Sequence, residues 1–209
     1  MTAMTATTDL GPVAWPPVPL RTERLVLRAA EARDRAAFVD LFASPEVGTY
    51  IGGAQPRDHL ARVMPEKPGQ RPGFFVIDLD GEMIGTVTLD RRDVEAGEGQ
   101  DDQGHEEQRE SGEHPDRSDH PGHTPPTAGP VELGFLLLPQ AWGHGYAAEA
   151  SEAALAWLAA ALPGEPVTLR TQTANARAMR LASKLGFTEV ERFEAYGAEQ
   201  WSGVRPAHA

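Results

Sequence analysis

Apolar and polar positions in this chain fall into short blocks whose spacing changes several times from end to end. Leu25, Val26 and Leu27 form an apolar run of strand length between Arg24 and Arg28. From Glu31 to Phe42 the apolar positions Ala36, Ala37, Phe38, Leu41 and Phe42 follow helical spacing, and Ser44-Pro45 stops it. Asp58 to Met64 reads as a second short helix. Phe74–Leu79 and Met83–Leu89 are strand-like runs flanking Asp80-Gly81, a pair that favours a two-residue hairpin turn. Glu132 to Leu138 is again of strand length and is closed by Pro139; from Ala147 to Ala161 the chain is rich in alanine and other good helix formers. Beyond a Pro163–Pro166 turn, Val167–Thr171 reads as a strand and Asn175–Leu185 as a helix capped by Gly186. Phe187–Arg192 and Gln200–Val204 complete the pattern as two last strands around Tyr196-Gly197. Two N-terminal helices, a hairpin and then alternating strands and helices predict an α/β (α+β) sheet covered by helices.

Two stretches do not follow this pattern. Residues 1–19 are small, polar and proline-rich and are expected to form a flexible arm ahead of a single domain over 20–205. Residues 93–130 hold almost no large apolar side chain, and are expected to be a disordered acidic insertion, because such a segment buries too little to offset the entropy of ordering. The insertion dominates the charge. It carries eleven Asp and Glu against Arg109 and Arg117, a net of −9 of the −12 for the whole chain, so the remainder is only −3. With no basic stripe to displace counterions, nucleic-acid binding is not expected. His105, His114, His120 and His123 lie inside the insertion at irregular spacing, which argues for a solvated loop over a metal site. The chain has no cysteine, hence no disulfide, thiolate ligand or thiol nucleophile. The N-terminus lacks the basic and apolar regions of a signal peptide, and no run approaches membrane-spanning length, so a cytoplasmic protein is expected.

The stretch richest in chemistry is Gln140-Ala141-Trp142-Gly143-His144-Gly145, between the apolar run and the alanine-rich helix. A helix opening on a glycine turn points unpaired N–H groups at one spot, with the positive end of its dipole behind them. That suits an anion such as a pyrophosphate; the other reading is a strand-to-helix turn and nothing more. The loop lacks the Gly-Lys-Ser/Thr ending of a Walker A motif. It fits the dinucleotide fingerprint poorly, since Glu165, the acidic residue some twenty positions on, lies in a Pro-Gly-Glu-Pro turn.

Gln140-x-x-Gly143-x-Gly145 resembles the acyl-CoA loop of the GNAT acetyltransferase superfamily. Leu20-Arg-Thr-Glu-Arg-Leu-Val-Leu-Arg28 is similar to the opening strand of the branch containing ribosomal-protein N-terminal acetyltransferases, and Asn175 through Lys184-Leu-Gly-Phe187 to a helix of the same branch. The resemblance implies a mixed, mostly antiparallel sheet with helices on both faces and a splayed strand pair that binds acetyl-CoA. On that reading Phe135, Leu136, Leu137 and Leu138 line the pantetheine arm, with a backbone donor near Leu136 as oxyanion contact. Gln140, Gly143, His144, Gly145, Tyr146 and Ala147 surround the pyrophosphate, His144 standing where the family often carries Lys or Arg. Asn175 either orders the pantetheine or is simply a helix N-cap.

The implied activity is transfer of an acetyl group to a primary amine, either a protein N-terminus or a small molecule, by a monomer or homodimer. Glu132 is the candidate base, because an acidic residue interrupting an apolar strand needs a reason. The plainer reading is a strand-end carboxylate facing water; Asp90 is a weaker candidate. Ala178 occupies the position where the branch often has a hydroxyl for the leaving thiolate, and Tyr196 is a possible substitute. Those departures leave a second class open, a catalytically weak acyl-CoA-binding regulatory module.

Overall fold

The computed structural model describes residues 10–11, 13–91 and 129–207. Strands β1 (Leu20–Arg21), β2 (Val26–Arg28), β3 (Phe74–Leu79), β4 (Glu82–Arg91), β5 (Val131–Leu137), β6 (Val167–Gln172), β7 (Thr188–Ala195) and β8 (Ala198–Arg205) form one sheet. Its order is β1-β2-β3-β4-β5-β6-β8-β7, and every neighbouring pair is antiparallel except β5 and β6. The helices are α1 (Arg35–Ala43), α2 (Pro45–Gly48), α3 (Arg57–Val63), α4 (Tyr146–Ala161) and α5 (Ala176–Lys184). The predicted class, a mostly antiparallel mixed sheet with helices, is the one observed. No helix among the described residues is long and apolar enough to cross a membrane.

Local chemistry explains the turns. Asp80 and Gly81 have φ of 53° and 93°, both left-handed, as a two-residue turn between twisted strands requires. Tyr196 and Gly197, at 54° and 73°, do the same for β7 and β8. Those strands therefore run right up to their turn, farther than the apolar pattern indicates. Six of the eight residues of β7 are exposed, so the spacing of apolar residues marks this strand without marking where it ends. The helix expected from Glu31 starts instead as a 3-10 turn at Ala32–Asp34 and becomes α-helical at Arg35.

Alternation along the strands sends side chains to two cores. Phe75, Ile77, Val87, Leu89 and Leu133 pack with Ala150, Ala154 and Leu158 of α4. On the other face Val76, Met83 and Leu138 pack with Phe38 and Leu41 of α1. The expectation of a loose arm up to residue 19 needs correction for its described part. Leu10 is 1% exposed, and Trp15 meets Phe75 and Trp157 edge-on with ring centroids 5.1 and 6.1 Å apart. Isolated apolar residues among prolines show no periodicity, yet two of them complete the core under α4.

A buried ionic cluster ties β2 to both neighbouring layers. Arg28 donates from Nη1 and Nη2 to the two carboxylate oxygens of Asp34 at 2.7 and 2.8 Å, and from Nε to Asp78 at 2.8 Å. Burial pushes the Asp34 carboxyl up, but hydrogen bonds from the Arg28 guanidinium and the Glu31 N–H outweigh it and hold it below the usual carboxylate range. A depressed folded-state pKa contributes stability above the ordinary carboxylate value and loses it as pH falls through the folded one. Arg28→Met, which strands two buried carboxylates, is expected to cost about 3–5 kcal/mol near neutral pH. The gap from wild type, measured by urea unfolding, should narrow as pH falls through the depressed pKa of Asp34.

The stretch expected to be disordered, 93–130, lies outside the described residues apart from Gly129 and Pro130, as do its four histidines. Its two anchors, however, are adjacent. Arg91 and Val131 are register partners, and Arg91 makes paired hydrogen bonds of 2.9 Å to Glu165 across the base of the sheet. Replacing residues 93–128 with a short Gly-Ser turn is thus expected to shift the melting temperature by only a few degrees, because loop length adds little closure entropy. A differential-scanning measurement of both proteins checks it.

Candidate active site

The site is built on an interruption of the sheet. Parallel β5 and β6 share only two register pairs, Val131 with Val167 and Glu132 with Thr168. Thr168 Oγ1 reinforces this join by donating to Val131 O at 3.2 Å. The strands then diverge, although β5 continues to Leu137 and β6 to Gln172. From Leu133 onward the β6-facing edge of β5 has no strand partner among the described residues, so a V-shaped cleft opens toward the C-terminal ends of both strands. The Gly143–Gly145 loop follows β5 there, and Asn175 follows β6. The segment after α2 closes in as well, with Gln172 Nε2 donating to Tyr50 O at 3.4 Å.

The loop is held by its own side chains. Trp142 Nε1 donates to Leu137 O at 2.8 Å, and the Arg177 guanidinium stacks 4.8 Å above the Trp142 ring. Gly143 and Gly145 have φ of 85° and 82°, a conformation that only glycine adopts cheaply. The N–H groups of Ala148 and Glu149 both donate to Gly145 O. No backbone acceptor among the described residues takes the N–H of Gly143, His144, Gly145, Tyr146 or Ala147. His144 stacks on Tyr146 with centroids 5.4 Å apart.

From the other side the β1–β2 turn grips α4. Glu149 accepts from Thr22 Oγ1 at 2.5 Å, from the Arg24 N–H at 2.9 Å and from Arg24 Nε at 2.8 Å. Arg24 Nη1 donates to His144 O at 3.0 Å, and its guanidinium lies 4.7 Å over the Tyr146 ring. Burial pushes the Glu149 carboxyl up, but the bonds from Thr22 and Arg24 hold it below the usual range. It therefore stays ionised throughout the neutral range.

Glu132 sits at the vertex of the V. Its register partners are Asp90 on β4 and Thr168 on β6, and its Oε2 lies 3.9 Å from Arg170 Nε. Val131 and Leu133 point into the α4 core, so alternation turns Glu132, Gly134 and Leu136 to the α1 face. The Glu132 side chain is 18% exposed. Asp90, the weaker candidate base, is engaged by both Nη groups of Arg71.

Residues 24–188 of the 209 match the family of acetyltransferase (GNAT) domains. The chain belongs to the GNAT acetyltransferases. No curated protein matches it in sequence. Among solved structures it is similar to an acetyltransferase from Agrobacterium tumefaciens, with a TM-score of 0.61, 24% identity and coverage of 94% of this chain and 99% of that one. An acetyltransferase from Salmonella typhimurium that modifies the N-terminal serine of 50S ribosomal subunit protein L7/L12 gives 0.59 at 13% identity, covering 91% and 100%. An aminoglycoside acetyltransferase in complex with coenzyme A gives 0.58 at 16% identity, covering 87% and 94%.

Within this GNAT fold the residues named from sequence separate into two groups. Gly143, His144, Gly145, Tyr146 and Ala147 follow β5 on the side where the cleft opens, with Gln140 exposed just before them. Phe135 and Leu136 are half-buried; Phe135 turns its backbone groups to the unpaired edge, whereas Leu136 is in phase with the Leu138 N–H bond to Ile84 O and so faces Thr86 of β4. Leu137 and Leu138, by contrast, are buried in the two cores, and Leu137 O and Leu138 N–H are already bonded to Trp142 and Ile84. Asn175 adopts the cap role, accepting from Ala178 N–H at 3.1 Å. Ala178 is 4% exposed, so this GNAT chain offers no hydroxyl at that point of α5. Tyr196, at a hairpin tip and 79% exposed, stands in solvent.

Sequence reasoning missed Arg24, Trp142 and Arg177. The only local signal was Thr22-x-Arg24 inside the quoted opening stretch, whose partner Glu149 lies 125 residues further on for Arg24.

Gly143 leads to a test of the loop. A Cβ added there meets nothing within 4 Å, so the loop has room for a side chain next to the N–H groups of its neighbours. Asn and Asp are alike in size and tolerate left-handed backbone better than other residues. Gly143→Asp is expected to lower CoA affinity at least about tenfold more than Gly143→Asn, since only Asp places a negative charge where an anion would sit. Titration calorimetry of both folded variants decides.

Proposed function

We propose that this GNAT protein transfers the acetyl group of acetyl-CoA to a primary amine by direct attack on the thioester. One observation carries the reading: a cleft between β5 and β6 whose open end is ringed by five N–H groups without backbone acceptors. Those groups suit a pyrophosphate, and the unpaired edge at Leu133 and Phe135 offers hydrogen-bonding groups to an extended amide chain such as pantetheine. The residues present therefore fit CoA. Gln140, Gly143, His144, Gly145, Tyr146 and Ala147 would hold its phosphates.

CoA supplies a thioester, whose acetyl carbon accepts the amine and whose sulfur departs as thiolate. A backbone N–H on the unpaired edge near Leu136 would stabilise the developing oxyanion from a fixed position, with no reorganisation at the moment of attack. Glu132 is the base. Four residues of strand separate it from Leu136, about 13 Å of backbone, which exceeds the reach of a glutamate side chain. It therefore takes the amine proton through ordered water, with Arg170 beside it. The two bonds from Arg71 to Asp90 favour Glu132 over Asp90 for this role. With Ala178 buried and lacking a hydroxyl, the thiolate leaves unassisted, which a thiol pKa of about 8.5 allows near neutrality. Asn175 orders the first turn of α5 beside the cleft.

The amine is either a protein N-terminus or a small molecule. The similar structures act on both kinds, a ribosomal protein's N-terminal serine and an aminoglycoside. A second reading, an acyl-CoA-binding regulatory module, is favoured by Ala178 and by His144, which stands where the family often carries Lys or Arg. CoA release measured with a panel of N-terminal peptides and small amines separates the two.

Glu132→Gln keeps the shape of the side chain and removes its basicity. With an amine that the wild type uses, kcat is expected to fall about a hundredfold while CoA affinity holds. The deficit should shrink as pH rises and more of the amine is already neutral. Full activity of this variant across the pH range would leave Glu132 as a strand-end carboxylate only.

A further inference from the structure

The direction of one peptide bond in the glycine loop is fixed from outside the loop. Arg24 Nη1 holds the carbonyl of His144 at 3.0 Å. In a planar trans peptide the C=O and the following N–H point opposite ways. With His144 O drawn toward Arg24, the N–H of Gly145 must face away from Arg24. Gly145 has no Cβ to resist rotation of this peptide, and a Cβ built there would meet only Arg24 Nη2, at 3.6 Å. Without the guanidinium the loop would have little to stop the peptide from flipping and presenting a carbonyl oxygen where an N–H now points. Arg24 is itself fixed at three points: its backbone N–H and Nε bond Glu149, and its guanidinium lies over Tyr146. Glu149 is fixed in turn by Thr22 Oγ1, whose oxygen also accepts the Leu25 N–H. The β1–β2 turn and the first turn of α4 thus form one rigid unit around the loop.

We propose that Arg24 is a positioning residue of the CoA loop, orienting the His144–Gly145 peptide so that its N–H, together with those of Tyr146 and Ala147, is aimed at the pyrophosphate. The proposal rests on the CoA reading above and adds a residue to it from the opposite end of the chain. A guanidinium is required in place of a simple positive charge. Nε must reach Glu149 while Nη1 reaches His144 O, and a lysine ammonium offers no such fork.

Two ligands isolate the effect: CoA, and acetyl-pantetheine, which has no pyrophosphate. Calorimetry gives the first affinity and ligand-observed NMR the second. Arg24→Gln is expected to weaken CoA at least tenfold and to change acetyl-pantetheine less than twofold; Arg24→Lys should behave like Gln. Glu149→Gln, which keeps Arg24 and its charge but weakens its anchor, should weaken CoA severalfold. It serves as the second variant if Arg24→Gln does not fold. Unchanged CoA affinity in the folded variants overturns the proposal, as does equal loss of both ligands, which would mean general damage to the cleft. Full affinity in Arg24→Lys overturns it too, since charge alone would then suffice. If the wild type binds CoA no better than acetyl-pantetheine, the loop assignment itself fails. That result appears in the unmutated protein and so cannot be confused with failure of the Arg24 role.

Discussion

Hydrogen bonding between β5 and β6 lasts for two register pairs and then stops, and most of the site follows from that break. A sheet interior normally satisfies its backbone groups with neighbouring strands, and unpaired polar groups away from water are unfavourable. Here the unpaired edge of β5 faces a cleft, so it is available to another extended chain. Parallel orientation puts the C-terminal ends of both strands, and hence the start of α4 and the cap of α5, at the mouth of that cleft. Were the two strands antiparallel, these helix starts would lie at opposite ends of the sheet.

The two cores on either side keep the break from closing. Leu133 and Leu137 are buried against α4, while Leu138 is fixed on the α1 face. β5 is thus held by its pairing with β4 along its whole length, from Arg91 with Val131 to Gly85 with Leu137. β6 is held equally by β8, from Val167 with Arg205 to Gln172 with Gln200. Each strand belongs to its own half of the sheet, and the divergence is the boundary between two well-paired halves.

Much of this was legible in the residues. Asp80-Gly81 marked its hairpin because its turn needs left-handed backbone at both positions, and few residue pairs supply it. Gly143 and Gly145 marked the loop for the same reason. The family, too, was legible, because its motifs lie in three separated stretches. What escaped was long-range. Nothing near Thr22 or Arg24 indicates that both would bond Glu149, an acidic residue of the kind the first turn of any helix favours. Leu10 and Trp15 were missed because single apolar residues among prolines have no period to detect. Asn175 could be read in two ways, and the cap geometry is observed because a short polar side chain just before a helix meets the nearest free N–H first.

The join at Arg91 and Val131 divides the molecule's labour. The strand ends that hold the glycine loop lie at one extremity of β5, and Glu132 lies at the other, next to the point where the chain departs into residues 92–128 and returns. Only about two residues of strand, roughly 7 Å, separate Glu132 from Pro130. Because Arg91 and Val131 are register partners, the chain enters and leaves that excursion at Glu132's end of β5, away from the glycine loop. A lineage with this architecture can therefore change the length of that excursion without altering the β4–β5 register on which the glycine loop is built.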